Sequence, residues 1–347
     1  ASLGVLTHER NGYVYPRTDQ AATVLQALLR RAEQSGIRIL RRYRAGAVRK
    51  KRDGTFSVTG EGPEAAFSIS AAAVILACGG MVSGTYHCMG DGYRIAKSLG
   101  HSVKEPVPAL CALYTDDPYR KLASGVRTAA HVQLFLDGEK AAEDIGEIQM
   151  TADGISGIPV FQVSRYAARA RKDTPEKEIT TVLDFLPELS ERSWEQEKER
   201  RLRQMSDRDT LGDLCLGLVP DKIAAYLIAG LGEAREKKIG NLKNAGIPEK
   251  LLDSMRSKKV RITKTADFEK AQVTAGGVLL CEVSDAMESR FAQGLFFAGE
   301  ILDVDGVCGG YNLTWAMHSG FLAGEAARAM LQKKAPAAPS RFCFSEV

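Results

Sequence analysis

Three glycine-bearing segments near the C-terminus carry the residue types best suited to chemistry. They are Thr274-Ala275-Gly276-Gly277-Val278, Gly294-Leu295-Phe296-Phe297-Ala298-Gly299-Glu300 and Gly309-Gly310-Tyr311-Asn312-Leu313. The middle one is a short apolar run closed by Gly299 and the carboxylate of Glu300. That is the pattern of a buried strand delivering an acidic group to a ligand at its C-terminal end. The last is a Gly-Gly turn opening a long helix, which aims backbone N–H groups and a positive dipole end at an anion. A similar place is Leu76-Ala77-Cys78-Gly79-Gly80, a buried strand ending in two glycines, followed by Gly90-Asp91-Gly92 at a helix start. Asp91 reads equally as a plain N-cap and as a ligand-side acid, because a cap beside an anion site does both jobs. Any single glycine pair is explained by an ordinary left-handed turn, but three in this order favour binding.

The order and wording of these segments resemble the flavin-contacting C-terminal part of FAD-dependent oxidoreductases. The closest resemblance is to a bacterial flavoprotein family with aminoacetone-oxidase-like and 3-dehydro-bile-acid-reductase-like members. It spans nearly the whole chain and is most specific in the terminal block. It implies that Gly276, Gly277, Gly299, Gly309 and Gly310 let main chain approach FAD with no Cβ between. Tyr311 and Asn312 then stand at a flavin-facing helix start, whose dipole stabilises the negative charge of reduced flavin. Asp303, Asp305 and Gly306 match a short acidic-Gly turn of the family. Glu300 and Asp303 are thereby set toward the ribityl or pyrophosphate part of FAD, or they orient the loop that faces it. Gly79 and Gly80 correspond to a second cofactor signature, apolar-Ala-Thr-Gly-Gly, with Cys78 in place of Thr. Gly90, Asp91 and Gly92 match the family's Gly-Asp-Gly turn. Met81 to Met89 departs from the family, lacking its Tyr-Pro and Thr-Gly-Ser. Gly146-Glu147-Ile148 with Gly154-Ile155-Ser156-Gly157 also resembles a family segment, and reads as a core-packing loop in preference to one leaning over the flavin.

The elements that must position these residues follow from local signals. Asn11-Gly12 supplies a turn, and Thr18-Asp19 opens a helix with Val24, Leu25, Leu28 and Leu29 on one face, ended by Gly36. Ile37 to Leu40 reads as a strand. Gly46 to Lys51 and Thr55 to Thr59 form a hairpin about Asp53-Gly54. The run Ala73 to Ala77 is a buried strand, and a helix runs from Asp91 to Gly100. Strands at Val132 to Leu136 and Thr180 to Phe185 are followed by a charged helix from Ser193 to Gln204. An apolar helix from Lys222 to Leu231 and another opened by Pro248 come next. Gly310 to Gly324 reads as the long helix after the last Gly-Gly turn. The fold class expected is α/β: a discontinuous Rossmann-like FAD/NAD(P)-binding domain with a β meander, residues 1–105 and 272–332. It is interrupted by an inserted β-barrel-like and helical domain, residues 106–271. In the insert, 106–190 and 258–271 are the β part and 191–257 the helical part, and residues 333–347 form a loose tail.

A member of the family is expected to open with strand–Gly-x-Gly-x-x-Gly–helix, gripping the ADP half of FAD. The formal match here, Gly60-Glu61-Gly62-Pro63-Glu64-Ala65, carries Pro between two β segments and reads as a turn. By the resemblance, on the order of 80–100 residues stand in front of this sequence in the family, enough for that unit and a connection. The chain alone is therefore expected to bind FAD poorly, and a stoichiometric yellow chromophore in purified protein would refute this.

Composition bounds the rest. The chain has 347 residues, 44% hydrophobic and 26% charged, with net charge +4, which argues neither for nor against a polyanionic partner. The seven cysteines (78, 88, 111, 215, 281, 308 and 343) are odd in number, scattered and without a Cys-x-x-Cys pair. That speaks against a disulfide framework or a metal site and for a reducing cytoplasm. Apolar runs are too short for a membrane span. The basic run Arg41, Arg42, Arg44, Arg49, Lys50, Lys51 and Arg52 lacks interleaved aromatics and reads as a solvated face, so no nucleic-acid partner is expected. His318 reads as a packing or capping histidine, Cys308 as a small filler beside a helix start that could lower its pKa, and Tyr86 and His87 as candidates for facing substrate. No catalytic acid or base is assigned. The functional expectation is hydride transfer between FAD and a small organic or steroid-like substrate, with enone reduction preferred over amine oxidation. NAD(P)H, if used, binds transiently at the flavin face, since no second dinucleotide fingerprint is present. The alternative is a non-catalytic flavoprotein fragment or binding module that does not hold FAD by itself.

Overall fold

The computed structural model describes residues 3–82 and 88–334. Strands β1 (Thr7–Arg10) and β2 (Tyr13–Pro16) pair about Asn11 and Gly12, whose φ angles of 54° and 81° are those of a two-residue hairpin turn. Helix α1 (Ala21–Gln34) follows, with Leu25 and Leu28 exposed. The strand expected at Ile37–Leu40 does not form. Its apolar residues Ile37, Ile39 and Leu40 are exposed, and no strand lies beside them to complete a ladder.

Strands β3 (Arg44–Lys50), β4 (Phe56–Glu61) and β5 (Ala66–Ala71) make an antiparallel meander with Val48 opposite Val58 and Val58 opposite Ile69. The Asp53 carboxylate accepts the Thr55 N–H at 2.9 Å, which turns the first hairpin. Gly60 and Glu61 end β4, and the Gly62 N–H donates to Ala65 O, so this glycine pair closes a turn and opens no helix. Strand β6 (Val74–Leu76) and helix α2 (Asp91–Ser98) come next, then β7 (Val103–Ala109).

The middle of the chain holds β8 (Leu113–Tyr114), β9 (Arg127–Leu136), β10 (Glu139–Met150), β11 (Gly154–Gly157), helix α3 (Ile158–Asp173) and β12 (Ile179–Asp184). Helices α4 (Glu191–Gln204), α5 (Leu211–Cys215), α6 (Asp221–Gly230) and α7 (Ile247–Ser254) follow, then β13 (Lys258–Arg261) and β14 (Lys264–Thr265). The seven strands lie in the order β13-β12-β9-β10-β11-β8-β14. The two outer strands are one stretch of chain: β13 pairs β12, β14 pairs β8, and only Ile262 and Thr263 separate them. The Ile262 N–H donates to Ile179 O and the Thr263 N–H to Tyr114 O, so this stretch ties one edge to the other and closes the sheet as a barrel does. The segment Gly154–Gly157, expected as a loop, is strand β11, and α3 directly after it was not expected at all. Leu134, Ile148, Val160, Leu183, Tyr226 and Leu252 share the core of this region.

The chain then returns to the first region. Strand β15 (Val273–Val278) is buried along its whole length and pairs antiparallel with β7. Strand β16 (Leu295–Phe297) pairs parallel with β6, Leu295 opposite Val74 and Phe297 opposite Leu76. Helix α8 (Tyr311–Lys334) packs on it through Ala323 and Ala327, in one core with Leu76, Ile95, Phe296 and Ile301. Among the described residues, no helix is long and apolar enough to cross a membrane.

Candidate functional site

The fold gathers the distant glycine segments by direct main-chain contact. A Cβ on Gly277 would stand 2.6 Å from Ile301 O, so only a bare backbone lets β15 lie against the turn after Gly299. Gly276 meets the main chain of β7 in the same way, 2.8 Å from Glu105 O. On the other side of that turn, Gly299 N–H donates to the buried Ser319 Oγ at 2.9 Å, and Trp315 Nε1 donates to Gly299 O at 3.2 Å. Residues 276–277, 299–303 and the first turns of α8 therefore form one wall.

Gly80 joins the same wall from β6. Its Cα faces Thr274 and Glu300 so closely that a Cβ would lie 2.7 Å from Thr274 Cβ and nearer still to Thr274 Oγ1 and Glu300 Oε1. The Met81 N–H donates to Thr274 Oγ1 at 2.8 Å, and the Thr274 N–H donates to Glu300 Oε1 at 2.8 Å. Burial pushes the Glu300 carboxyl above its usual range, opposed by the Thr274 bonds. Thr274, itself fully buried, is a positioning residue that sequence reasoning passed over. The available signal was a lone hydroxyl at the head of an otherwise apolar run.

The glycines divide into two groups. Gly80, Gly276, Gly277 and Gly309 are covered by protein atoms, Gly309 by the Tyr13 ring. Among the described residues, a Cβ on Gly79 or Gly310 would meet no atom within 4 Å beyond its own chain neighbours. Gly90 precedes α2 with φ 74°, and Gly92 lies under Ile301 Cδ1 and Cys78. Asp91 does not cap α2: its carboxylate takes Arg44 Nε at 2.8 Å and Arg94 at 3.3 Å, and the Arg44 bond first of all holds its pKa low. Two residues on, the Tyr93 hydroxyl is buried with no hydrogen-bond partner among the described residues. Desolvation, then the Glu300 and Asp303 charges, raise its pKa.

The turn after Glu300 is latched by α3. Arg165 pairs with the Asp305 carboxylate at 2.5 Å and donates to Asp305 O and Gly306 O at 2.7 and 3.0 Å. Arg169, one helical turn later, donates to Glu105 O and Ala275 O at 2.8 and 3.3 Å. The Cys308 N–H donates to Gln162 Oε1 at 3.1 Å. Asn312 clasps Gly306 with both ends of its amide, accepting from N–H at 2.7 Å and donating to O at 3.1 Å. Asp303 pairs with Lys104 at 3.2 Å, and its N–H donates to Val278 O. Tyr311 is half-exposed, edge-on to Tyr13 with ring centroids 6.5 Å apart. Burial pushes the Asp305 carboxyl and the Cys308 thiol up, so the helix start does not activate Cys308. His318 is exposed, while the buried Ser319 beside it makes the contact to Gly299. Tyr86 and His87 lie outside the described residues.

Residues 1–326 match the HI0933-like protein Rossmann domain family. The 3-dehydro-bile acid delta(4,6)-reductase of Clostridium scindens is 40% identical over 329 residues, 94% of this chain and 78% of that protein. The ribosomal RNA dihydrouridine synthases of Haemophilus influenzae and Escherichia coli are 28% and 24% identical, over 72% and 91% of this chain and 58% and 74% of their own lengths. The solved 3-ketosteroid delta1-dehydrogenase of Sterolibacterium denitrificans is a looser likeness, 13% identical with a TM-score of 0.41, covering 88% of this chain and 62% of that one. Match length and identity together decide the matter: this chain belongs to the HI0933-like Rossmann-domain family.

Proposed function

We propose that this chain is a flavin-dependent oxidoreductase that exchanges hydride between FAD and a small organic or steroid-like substrate. The observation that carries the reading is the single wall built by Gly80, Thr274, Glu300 and the start of α8. Among the described residues it leaves Gly79 and Gly310 uncovered, Gly310 directly before the N-terminus of a 24-residue helix. The buried Tyr93 hydroxyl, without a partner among the described residues, supplies a further polar group that a ligand would satisfy. These features fit a planar, partly anionic cofactor. Gly79, Gly310 and the first amides of α8 would hold it, with Glu300 held in place behind them by Thr274. FAD bound there would supply the two-electron chemistry. The protein's own part is to set the wall, offer the helix dipole to negative charge and exclude water. Residues 1–105 and 272–332 form the cofactor-holding unit in this reading, and residues 106–271 cover it.

Enone reduction ranks above amine oxidation for a chemical reason. A delta(4,6)-reductase of a 3-dehydro compound and a dihydrouridine synthase both act at a carbon–carbon double bond conjugated to a carbonyl. The bile-acid enzyme is much the more similar of the two, which favours a small-molecule substrate over RNA. NADH or NADPH would serve as a transient donor at the same face.

The test is anaerobic. Purified protein supplied with FAD is titrated with NADH and with NADPH while flavin absorbance is followed, and a 3-oxo-4,6-diene steroid acid is then added. Bleaching by a nicotinamide donor and recovery on adding the dienone support the reading. Bleaching by a small primary amine, with no recovery on any conjugated enone, would overturn the enone preference in favour of amine oxidation.

A further inference from the structure

The closed sheet carries a second concave site. Beside β8 and β14, a cavity of about 430 Å³ is lined by Tyr114, Arg120, Lys264 and Lys270, with Asp153 and Asp267 on its wall. Three cations thus face two carboxylates. The Lys264 and Lys270 ammonium groups stand 5.3 and 6.0 Å from the Tyr114 ring centroid, a geometry that holds positive charge over an aromatic face. Among the described residues, neither lysine nor Arg120 makes an ion pair, although 24 ion pairs form elsewhere. Arg120 donates one N–H to Asp117 O at 2.7 Å, while its Nε is buried with no partner. A buried guanidinium N–H left unmatched is costly unless something accepts from it.

The cavity also has an address. Tyr114 packs with Cys111, Ala266 and Ala271 in a small apolar cluster that includes Val82. Val82 follows Met81, whose N–H is held by Thr274 in the wall described above. Tyr114, which lines the cavity, and Val82, at the end of the Gly79–Val82 segment, thus pack against the same small cluster.

On the reading that this is a flavin-dependent oxidoreductase, we infer that Arg120, Lys264 and Lys270 form a subsite for an oxyanion. It is a carboxylate or a phosphate carried by one of the two small molecules that meet at the flavin. Arg120 and the two lysines line one cavity together with Tyr114, and among the described residues no ion pair neutralises them. The two sources are a substrate with a carboxylate tail and a nicotinamide donor with its phosphates.

Equilibrium dialysis separates the outcomes. The probes are a 3-oxo steroid acid, its methyl ester and NADPH, each bound to the wild-type protein and to the Lys264→Ala/Lys270→Ala variant. Both lysines are exposed, so the double variant is expected to fold, and circular dichroism checks this. Lys259→Ala, on β13 outside the cavity, is the charge control. If the substrate is the source, the acid binds roughly tenfold or more tightly than the ester to wild type. The double variant then removes that preference and leaves NADPH binding unchanged. If the donor is the source, NADPH affinity falls roughly tenfold or more and the acid-to-ester ratio stays constant. Unchanged binding of all three probes in the double variant overturns the subsite, and so does an equal loss in Lys259→Ala. Dialysis needs no turnover: lysine-dependent binding without flavin reduction or reoxidation would sink the proposed activity and leave the subsite standing. Normal flavin cycling without lysine-dependent binding would do the reverse.

Discussion

Gly80→Ala is the sharpest test of how the candidate site is built. The added methyl has no room, since its carbon would lie 2.7 Å from Thr274 Cβ and nearer to Thr274 Oγ1 and Glu300 Oε1. Forcing a methyl into a filled interior costs about 1–3 kcal/mol. If Thr274 turns away to make space, the Met81 N–H loses its 2.8 Å acceptor, which adds about 1 kcal/mol or more. The sum is roughly 2–4 kcal/mol, concentrated where β6, β15 and the turn at Glu300 meet. Gly79→Ala is the matched control: among the described residues nothing beyond its chain neighbours lies within 4 Å of its Cβ, and the φ of 70° alone predicts a cost near 1 kcal/mol. Native-state hydrogen exchange, read on peptides covering Gly79–Val82 and Val273–Gly277, locates the effect, and guanidinium unfolding gives its size. Faster exchange at Met81 and Thr274 in Gly80→Ala, but not in Gly79→Ala, is the expected result. A Gly80→Ala protein within about 0.5 kcal/mol of wild type, with both amides still protected, would refute the reasoning.

The remaining predictions probe the same wall and its latch. Glu300→Gln keeps an acceptor for the Thr274 N–H and removes the charge. Burial raises the Glu300 pKa above its ordinary 4.5, so the folded chain holds a proton that the unfolded chain releases. Stability contributed by this group is therefore lost as pH rises from 4.5 through the folded value, and Glu300→Gln flattens that part of the curve of denaturation midpoint against pH. A variant whose curve runs parallel to wild type would contradict it. Thr274→Val keeps the shape and strands the Met81 N–H, for a loss of about 1–3 kcal/mol in urea unfolding. Arg165→Ala cuts the ion pair to Asp305 and both carbonyl contacts, so exchange at Asp305–Gly306 is expected to speed up and unfolding to cost about 2–4 kcal/mol less. Undisturbed exchange there would show that Asn312 alone holds the loop.

Local signals carried much of the fold. Asn11-Gly12 and Asp53-Gly54 both stand at turns, as their residue types predict; the hairpin expected about Asp53-Gly54 forms, and Asn11-Gly12 joins two strands, β1 and β2, that no local pattern announced. The apolar run at Leu295–Phe297 and the long helix after Gly310 are likewise legible, because burial and helical period repeat over neighbouring positions. Helix α3 was legible and not read: Val160, Val163, Ser164 and Ala167 are buried at helical spacing behind Pro159, but the preceding glycines drew attention as a loop. The segment Ile37–Leu40 has the residue types of a strand, but among the described residues no partner strand stands beside it.

For the candidate site, the order of several glycine turns and a strand-end carboxylate, together with the family resemblance, marked out Gly79, Gly80, Gly276, Gly299, Glu300 and Gly310. What the types could not say is which of them touch. That Gly80 rests on Thr274, 194 positions later, and that Arg165 and Arg169 reach back from α3 to hold residues 275 and 305–306, depends on how separate strands and helices stack. The closing of a seven-stranded sheet by Lys258–Thr265 is of the same kind. A turn or a helix is set by energies among neighbours in the chain, so it is written locally. A contact between distant segments exists only once the whole core has chosen its packing, and there the tertiary structure alone decides.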